Sequence, residues 1–147
     1  MNNFFEIKKM EKVIDIAIQK AKELKVSVTI CLMDKATVIQ MLYHMPKAIL
    51  VSSSLAPKKA WSAIAMNQPT KDIAKKIQPG GSFYQVETSL NGKLVSFAGG
   101  IPIKINNELQ GSIGVSGGSN KEDQAICETA ITKFKEETKR KKLNDNK

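Results

Sequence analysis

The chain is poor in the residues on which most recognisable chemistry rests. His44 is its only histidine, which excludes multi-histidine metal centres and zinc fingers. Arg140 is its only arginine. Sequence-specific DNA readers lean on arginine for bidentate contacts to guanine and phosphate, so nucleic acid is not an expected partner. Cysteine occurs twice, as Cys31 and Cys127, too far apart in sequence to form a metal-type pair. With no signal peptide to be read in MNNFFEIKKMEK, the expectation is a cytoplasmic protein with reduced, buried thiols. No apolar run approaches the roughly 18 residues of a membrane span. Motifs of the CxxC, HExxH and P-loop kinds are absent as well.

At 147 residues and 41% hydrophobic, the chain has the size of one domain and enough apolar residues for a core. Residues 1–138 read as that domain and 139–147 as a polar, basic tail that frays. The formal charge is +9. From Lys133 to Lys147 seven basic and three acidic residues give +4, leaving +5 spread over the other 132. The reading is a lysine-rich solvated surface, which bears on solubility and not on fold.

Periodicity places the elements. Ile7, Met10, Ile14, Ala17, Ile18, Ala21 and Leu24 recur at helical spacing over residues 6–24. Val26, Val28, Ile30 and Leu32 alternate with Ser27, Thr29 and Cys31, so 26–33 is a strand, returning through a turn at 34–37 into a second strand at 38–43. Ser52-Ser53-Ser54 opens a helix, with an earlier start near Ala48 as the alternative, and Pro57 fits best in a first turn. Thr70 caps a short helix over 71–77. Strands are expected at 83–90 and 93–98 about an Asn91-Gly92 turn, and Ser119 with Glu122 forms a capping box for a last helix. Hairpins and flanking helices, without βαβ units, give an α+β fold with helices on an antiparallel sheet.

The stretch from Phe97 to Gly118, FAGGIPIKINNELQGSIGVSGG, is the most informative. Ile101, Ile103 and Ile105 form one strand, and Leu109, Ile113 and Val115 the other. Asn106-Asn107, tolerant of positive φ, turns between them. The Gly99-Gly100 and Gly117-Gly118 pairs leave bare backbone at the strand ends, where another backbone or a flat ligand can come close. GxxGxSGG at 111–118 sits in a β-hairpin and not in the βαβ unit of a dinucleotide fingerprint. A turn before a capped helix can also hold an anion around Ser116–Ser119, against the alternative that glycine only shapes the helix entry.

Gly-Gly-Ile-Pro-Ile, the turn and Gly-Ser-Ile-Gly-Val-Ser-Gly together resemble the signature of the GlcG/HbpS family, which includes the C-terminal domain of PduO-type proteins. The resemblance spans about residues 6–136. It takes in Ala56-Pro57-Lys58-Lys59-Ala60, similar to the family's Lys-Ala helix, then Pro69-Thr70 and Gln78-Pro79-Gly80. It implies a profilin-like sheet, homo-oligomers and haem as ligand or substrate. The chain departs from the family in lacking the usual glycine at 34–37 and in having no Glu-x-x-Glu iron pair.

His44, at a strand end before Met45-Pro46, is a candidate axial ligand to haem iron, with Met45 as a soft sulfur nearby. The competing reading is a hydrogen-bonded or surface imidazole. Lys59 is placed to pair either with a ligand carboxylate such as a haem propionate or with a protein carboxylate. Gly99, Gly100, Pro102, Ser116 and Gly117 complete the candidate ligand-binding set. Trp61 and the methionines read as core, and no catalytic constellation is visible. Three functions compete. The first is a binding protein for haem or a related tetrapyrrole such as a corrinoid, accessory to a cobalamin-dependent diol or glycerol utilisation system. The second is a non-catalytic homo-oligomeric module serving an enzyme or sensor partner. The third is a haem-degrading enzyme.

Overall fold

The computed structural model describes residues 3–147. Helix α1, Ile7–Glu23, is followed by strands β1, Thr29–Asp34, and β2, Ile39–His44. Helices α2, Ser52–Met66, α3, Thr70–Ile77, and α4, Val86–Ser89, come next. The signature hairpin is β3, Gly100–Ile105, and β4, Glu108–Ser116, and the chain closes with α5, Asn120–Asp145. All pairings are antiparallel, in the order β2-β1-β4-β3. The fold is therefore the α+β sheet-and-helix architecture expected.

Alternation divides the sheet into two faces. Ile30 and Leu32 of β1, Ile113 and Val115 of β4, and Ile103 of β3 point to one side, where α1 and α5 cover them with Val13, Ala17, Ile126 and Ala130. Thr29, Cys31 and Met33 point to the other, under Ala56, Ala60 and Ile64 of α2. That helix approaches closely because Gly114 lies beneath it. A Cβ there would stand 2.1 Å from the Ala56 carbonyl oxygen. Pro102 lies on β3, an edge strand, where its missing N–H removes no ladder bond from the sheet interior.

Turn chemistry fixes the hairpins. Asn106 and Asn107 take φ of 51° and 66°, the pair of left-handed residues a two-residue hairpin needs. Between β1 and β2, Thr37 takes φ 67° and the Asp34 carboxylate accepts from the Ala36 and Val38 amides at 2.9 and 3.1 Å. Ser119 and Glu122 form the capping box on α5.

Several boundaries differ from expectation. β1 starts at Thr29 because Lys25, at φ 60°, and the Val26 N–H to Ala21 carbonyl bond belong to the closure of α1. Pro57 sits in the second turn of α2, since the helix starts at Ser52. Thr70 is the first residue of α3 and not its cap. Its hydroxyl donates to the Phe97 carbonyl at 2.6 Å and accepts from the Gly100 N–H at 2.9 Å. The strand expected at 83–90 is a run of turns with α4 inside it, and 93–98 pairs with no strand. Leu94 and Val95 are buried, but the Val95 N–H donates to the Ser62 hydroxyl, 2.9 Å away, which anchors the segment to α2 instead of to a ladder. The basic tail continues α5 to Asp145 although nothing beyond Phe134 is buried.

Candidate functional site

His44 ends β2 and faces the α2 side of the sheet, opposite Thr29, which is in turn opposite Ser116 of β4. Three polar groups are linked there. His44 Nδ1 lies 2.6 Å from Thr29 Oγ1, Thr29 Oγ1 lies 2.7 Å from Ser52 Oγ, and Ser52 Oγ donates to the Ile49 carbonyl at 2.5 Å. A carbonyl only accepts, so the Ser52 proton points at Ile49. Thr29 must then donate to Ser52, and its oxygen is left to accept from His44. The chain of protons thus fixes the imidazole as the Nδ1–H tautomer. In the neutral ring Nε2 then carries the lone pair, and it has no hydrogen-bond partner among the described residues. An outer hydrogen bond that orients a ring and leaves the other nitrogen basic is the arrangement found behind metal-bound histidines.

Beside His44 the sheet is uncovered. α2 lies over β4, β1 and β3 and barely over β2. On that open half-face Leu42 and Ile39 are 38% and 47% exposed. The Thr29–Ser52 bond brings the turn before α2 to the same end, where Ile49, Leu50 and Val51 are 61%, 80% and 53% exposed. This is an apolar shelf next to a free imidazole nitrogen. Met45, in contrast, is buried, and its sulfur accepts from the Val28 N–H at 3.4 Å.

A second cluster joins Lys59, Gly99 and Gly100. Lys59 is 2% exposed. Its ammonium is 2.9 Å from Asp123 Oδ2 and donates to the Val115 carbonyl at 2.9 Å. Asp123 Oδ1 accepts from the Gly118 N–H at 2.8 Å. Burial raises the pKa of the Asp123 carboxyl, while Lys59 and the Gly118 N–H pull it back. Gly99 takes φ +117°, and a Cβ on it would come 2.5 Å from the Val115 oxygen and 3.0 Å from the Lys59 ammonium. Its N–H donates to Gln124 Oε1 at 3.1 Å and its carbonyl accepts from Cys127 Sγ at 2.7 Å. Gly100 faces the Lys59 carbonyl and the Thr70 side chain. Of the two partners open to Lys59, a protein carboxylate is the one present, and the close approach at these glycines is to the protein's own groups.

The candidate residues therefore fall into separate places. His44, Ser116 and Gly117 lie at one end of the β2-β1-β4 row, with Gly117 at φ +136° against the Ser27 carbonyl. Lys59, Gly99 and Gly100 form the buried cluster. Pro102 stands opposite Ser112 on the far edge from His44. Thr29, Ser52, Asp123 and Gln124 were not singled out by sequence. In the sequence Thr29 falls on the polar phase of its strand with Ser27 and Cys31, so nothing there marked it. Cys31 and Cys127 are free and buried, and burial pushes the Cys31 thiol up to about 12. Among the described residues no three His, Cys, Asp or Glu side chains gather to hold a metal ion, and no helix is long and apolar enough to cross a membrane.

A family model described as haem degrading protein HbpS-like matches residues 5–132. The chain is 44% identical over 115 residues to the corrinoid adenosyltransferase PduO of Citrobacter freundii, covering 78% of this chain and 34% of that protein. It thus spans about a third of the length of that relative. An uncharacterised 15.0 kDa protein from the dhaT-dhaS intergenic region of the same organism is 32% identical over 129 residues, covering 88% of this chain and 89% of that one. Among solved structures, a PduOC:heme complex superposes with a TM-score of 0.84 at 38% identity, over 86% of this chain and 92% of that one. HbpS itself, at 21% identity and a TM-score of 0.73 over 83% and 84%, shares the fold.

Proposed function

The chain belongs to the HbpS-like family, and on that premise we propose that it binds haem or a closely related tetrapyrrole, with His44 Nε2 as the iron ligand. The observation that carries this reading is the free Nε2, held by Thr29 and Ser52 beside an uncovered apolar shelf. A porphyrin is a flat apolar disc with one coordination position on each side of its metal. Leu42, Ile39 and the Ile49–Val51 turn offer the surface for the disc. Thr29 orients the imidazole. Lys59 and Asp123 act at a distance, holding the Gly99–Gly100 bend and the start of α5 in place. When bound, haem would supply an iron centre. The likeness to a PduOC:heme complex supports haem over a corrinoid, and a place in a cobalamin-dependent diol or glycerol utilisation system is proposed from the PduO relatives alone.

The test is a titration of the purified protein with haemin and, separately, with cobalamin, followed by absorption. The expected result is saturable haemin binding at about one per chain with a nitrogen-ligand shift of the Soret band, lost in His44→Ala. An unchanged spectrum in His44→Ala rejects His44 as ligand, and no saturable binding rejects the tetrapyrrole reading.

The exposed shelf also favours a second reading, in which a further copy of the chain covers β2 and the protein is a homo-oligomeric module without a ligand. Light scattering on the haem-free protein separates the two, since only this reading demands an oligomer that Leu42→Glu disperses with no tetrapyrrole present.

A further inference from the structure

A groove on the α1/α5 side has no part in the haem reading. It lies between the C-terminal half of α5, the N-terminal residues around Phe4 and the end of β3, with a volume of about 720 Å³. Its floor is Phe4, Phe134 and Ile105. The two phenyl rings meet edge to face with centroids 5.3 Å apart and are recessed, at 3% and 9% exposure. Its walls carry Lys9, Lys104, Lys135, Lys139, Lys141 and Lys142 against Glu136 and Asp145. Four of the chain's nine net charges therefore face one concavity. Among the described residues Lys9 pairs with Glu6, while the other five lysines have no ion-pair partner. Lys135, Lys139 and Lys142 follow one another at i+4 and i+3 on the α5 surface, a like-charge row that weakens a helix already unsupported beyond Phe134.

We propose that this groove docks an acidic amphipathic segment of a partner protein, its apolar residues on the Phe4–Phe134 floor and its carboxylates along the lysine walls. The competing occupants fit less well. A second copy of a chain with charge +9 brings charge of the same sign. A flat bilayer does not reach a recessed floor. Nucleic acid would use the lysines and leave the apolar floor unfilled. A single-carboxylate amphiphile would engage one or two of the lysines and leave the row along α5 unpaired. A helix or extended segment with carboxylates spaced along it meets both surfaces at once.

The experiment is a fluorescence titration of the full chain with a labelled synthetic peptide of alternating Glu-rich and Leu-containing turns. Polyglutamate, a short DNA duplex and anionic phosphatidylglycerol vesicles serve as comparators. The expected result is saturable one-to-one binding of the amphipathic peptide that weakens with salt. It should weaken at least about tenfold in the triple variant Lys135→Glu, Lys139→Glu, Lys142→Glu and in Ile105→Ser, with helical content unchanged by circular dichroism. Amides of residues 135–145 should gain protection from exchange on binding. The proposal is overturned if the peptide does not bind, if polyglutamate, DNA or vesicles bind as well as it does, if the triple variant binds unchanged, or if the protected amides lie elsewhere. None of these readings depends on haem.

Discussion

Replacing Thr29 by valine removes one hydroxyl and keeps the shape of a fully buried side chain. Two hydrogen bonds go, at 2.6 Å to His44 Nδ1 and 2.7 Å to Ser52 Oγ. Ser52 keeps its donation to Ile49, and half-buried His44 can take a water at Nδ1, so neither partner is stranded. At about 1 kcal/mol per hydrogen bond, offset in part by the added methyl, the net loss is roughly 1–1.5 kcal/mol. That corresponds to a fall in Tm of about 3–5 °C. The effect on His44 should be larger than the effect on stability. The neutral wild-type ring holds its proton on Nδ1, the minor tautomer of an unconstrained histidine side chain in water, and Thr29→Val releases that constraint. Because there is one histidine, ¹⁵N-histidine labelling gives one imidazole, and nitrogen shifts at a pH where the ring is neutral read the tautomer directly. Haemin affinity should fall about 10–100-fold in the variant, as for other groups that orient a metal-bound histidine. A wild-type ring protonated on Nε2 would refute the proton-direction argument whatever the haem result. A correct tautomer with no haem binding would leave that argument standing and remove the function.

Four further outcomes follow from the geometry. Gly114→Ala should cost about 3 kcal/mol in urea denaturation, because the new Cβ would meet the Ala56 carbonyl at 2.1 Å and backbone cannot move aside as a rotamer can; a loss under half that size contradicts the packing described. Asp123→Asn leaves the Lys59 charge buried without its partner and should cost about 3–5 kcal/mol. Lys59→Met should cost less at pH 5 than at pH 8. Burial already raises the Asp123 pKa, and without Lys59 it rises further. The folded state then holds a proton that the unfolded state, titrating near 4, has lost, so stability is present at low pH and falls as pH rises through the folded pKa; equal cost at both pH values refutes this. Cys31, pushed up to about 12, presents roughly one thiolate in 10⁴ at pH 8, so a thiol reagent should modify the native protein no faster than it unfolds.

Where side-chain period and turn chemistry decide, the sequence was readable. The signature hairpin, the capping box and the first helix lie where alternation, Asn-Asn and S-x-x-E put them. Residues 83–98 defeated that reading because Phe83, Tyr84 and Leu90 have strand-forming character but remain exposed, while the buried Leu94 and Val95 are fixed by α2 instead of by a neighbouring strand. Lys59 illustrates the limit at the site. Its position in a Lys-Ala helix was visible, but the partner 64 positions later was not, since nothing in the local pattern distinguishes Asp123 from the capping Glu122 next to it. The Thr29–Ser52 link is likewise set by how α2 crosses the sheet.

That crossing has a thermodynamic consequence. With Gly114 directly under the Ala56 backbone, α2 rests on main chain at that point, and no side chain there can compress or re-pack. The helix has no slack in which to slide toward β2. Whatever settles on Ile39, Leu42 and the Ile49–Val51 turn meets a surface already in its final shape, and little ordering entropy opposes its arrival. Association there should carry the negative heat-capacity change of apolar burial without the further change that accompanies folding, and calorimetry over a range of temperatures would read the difference.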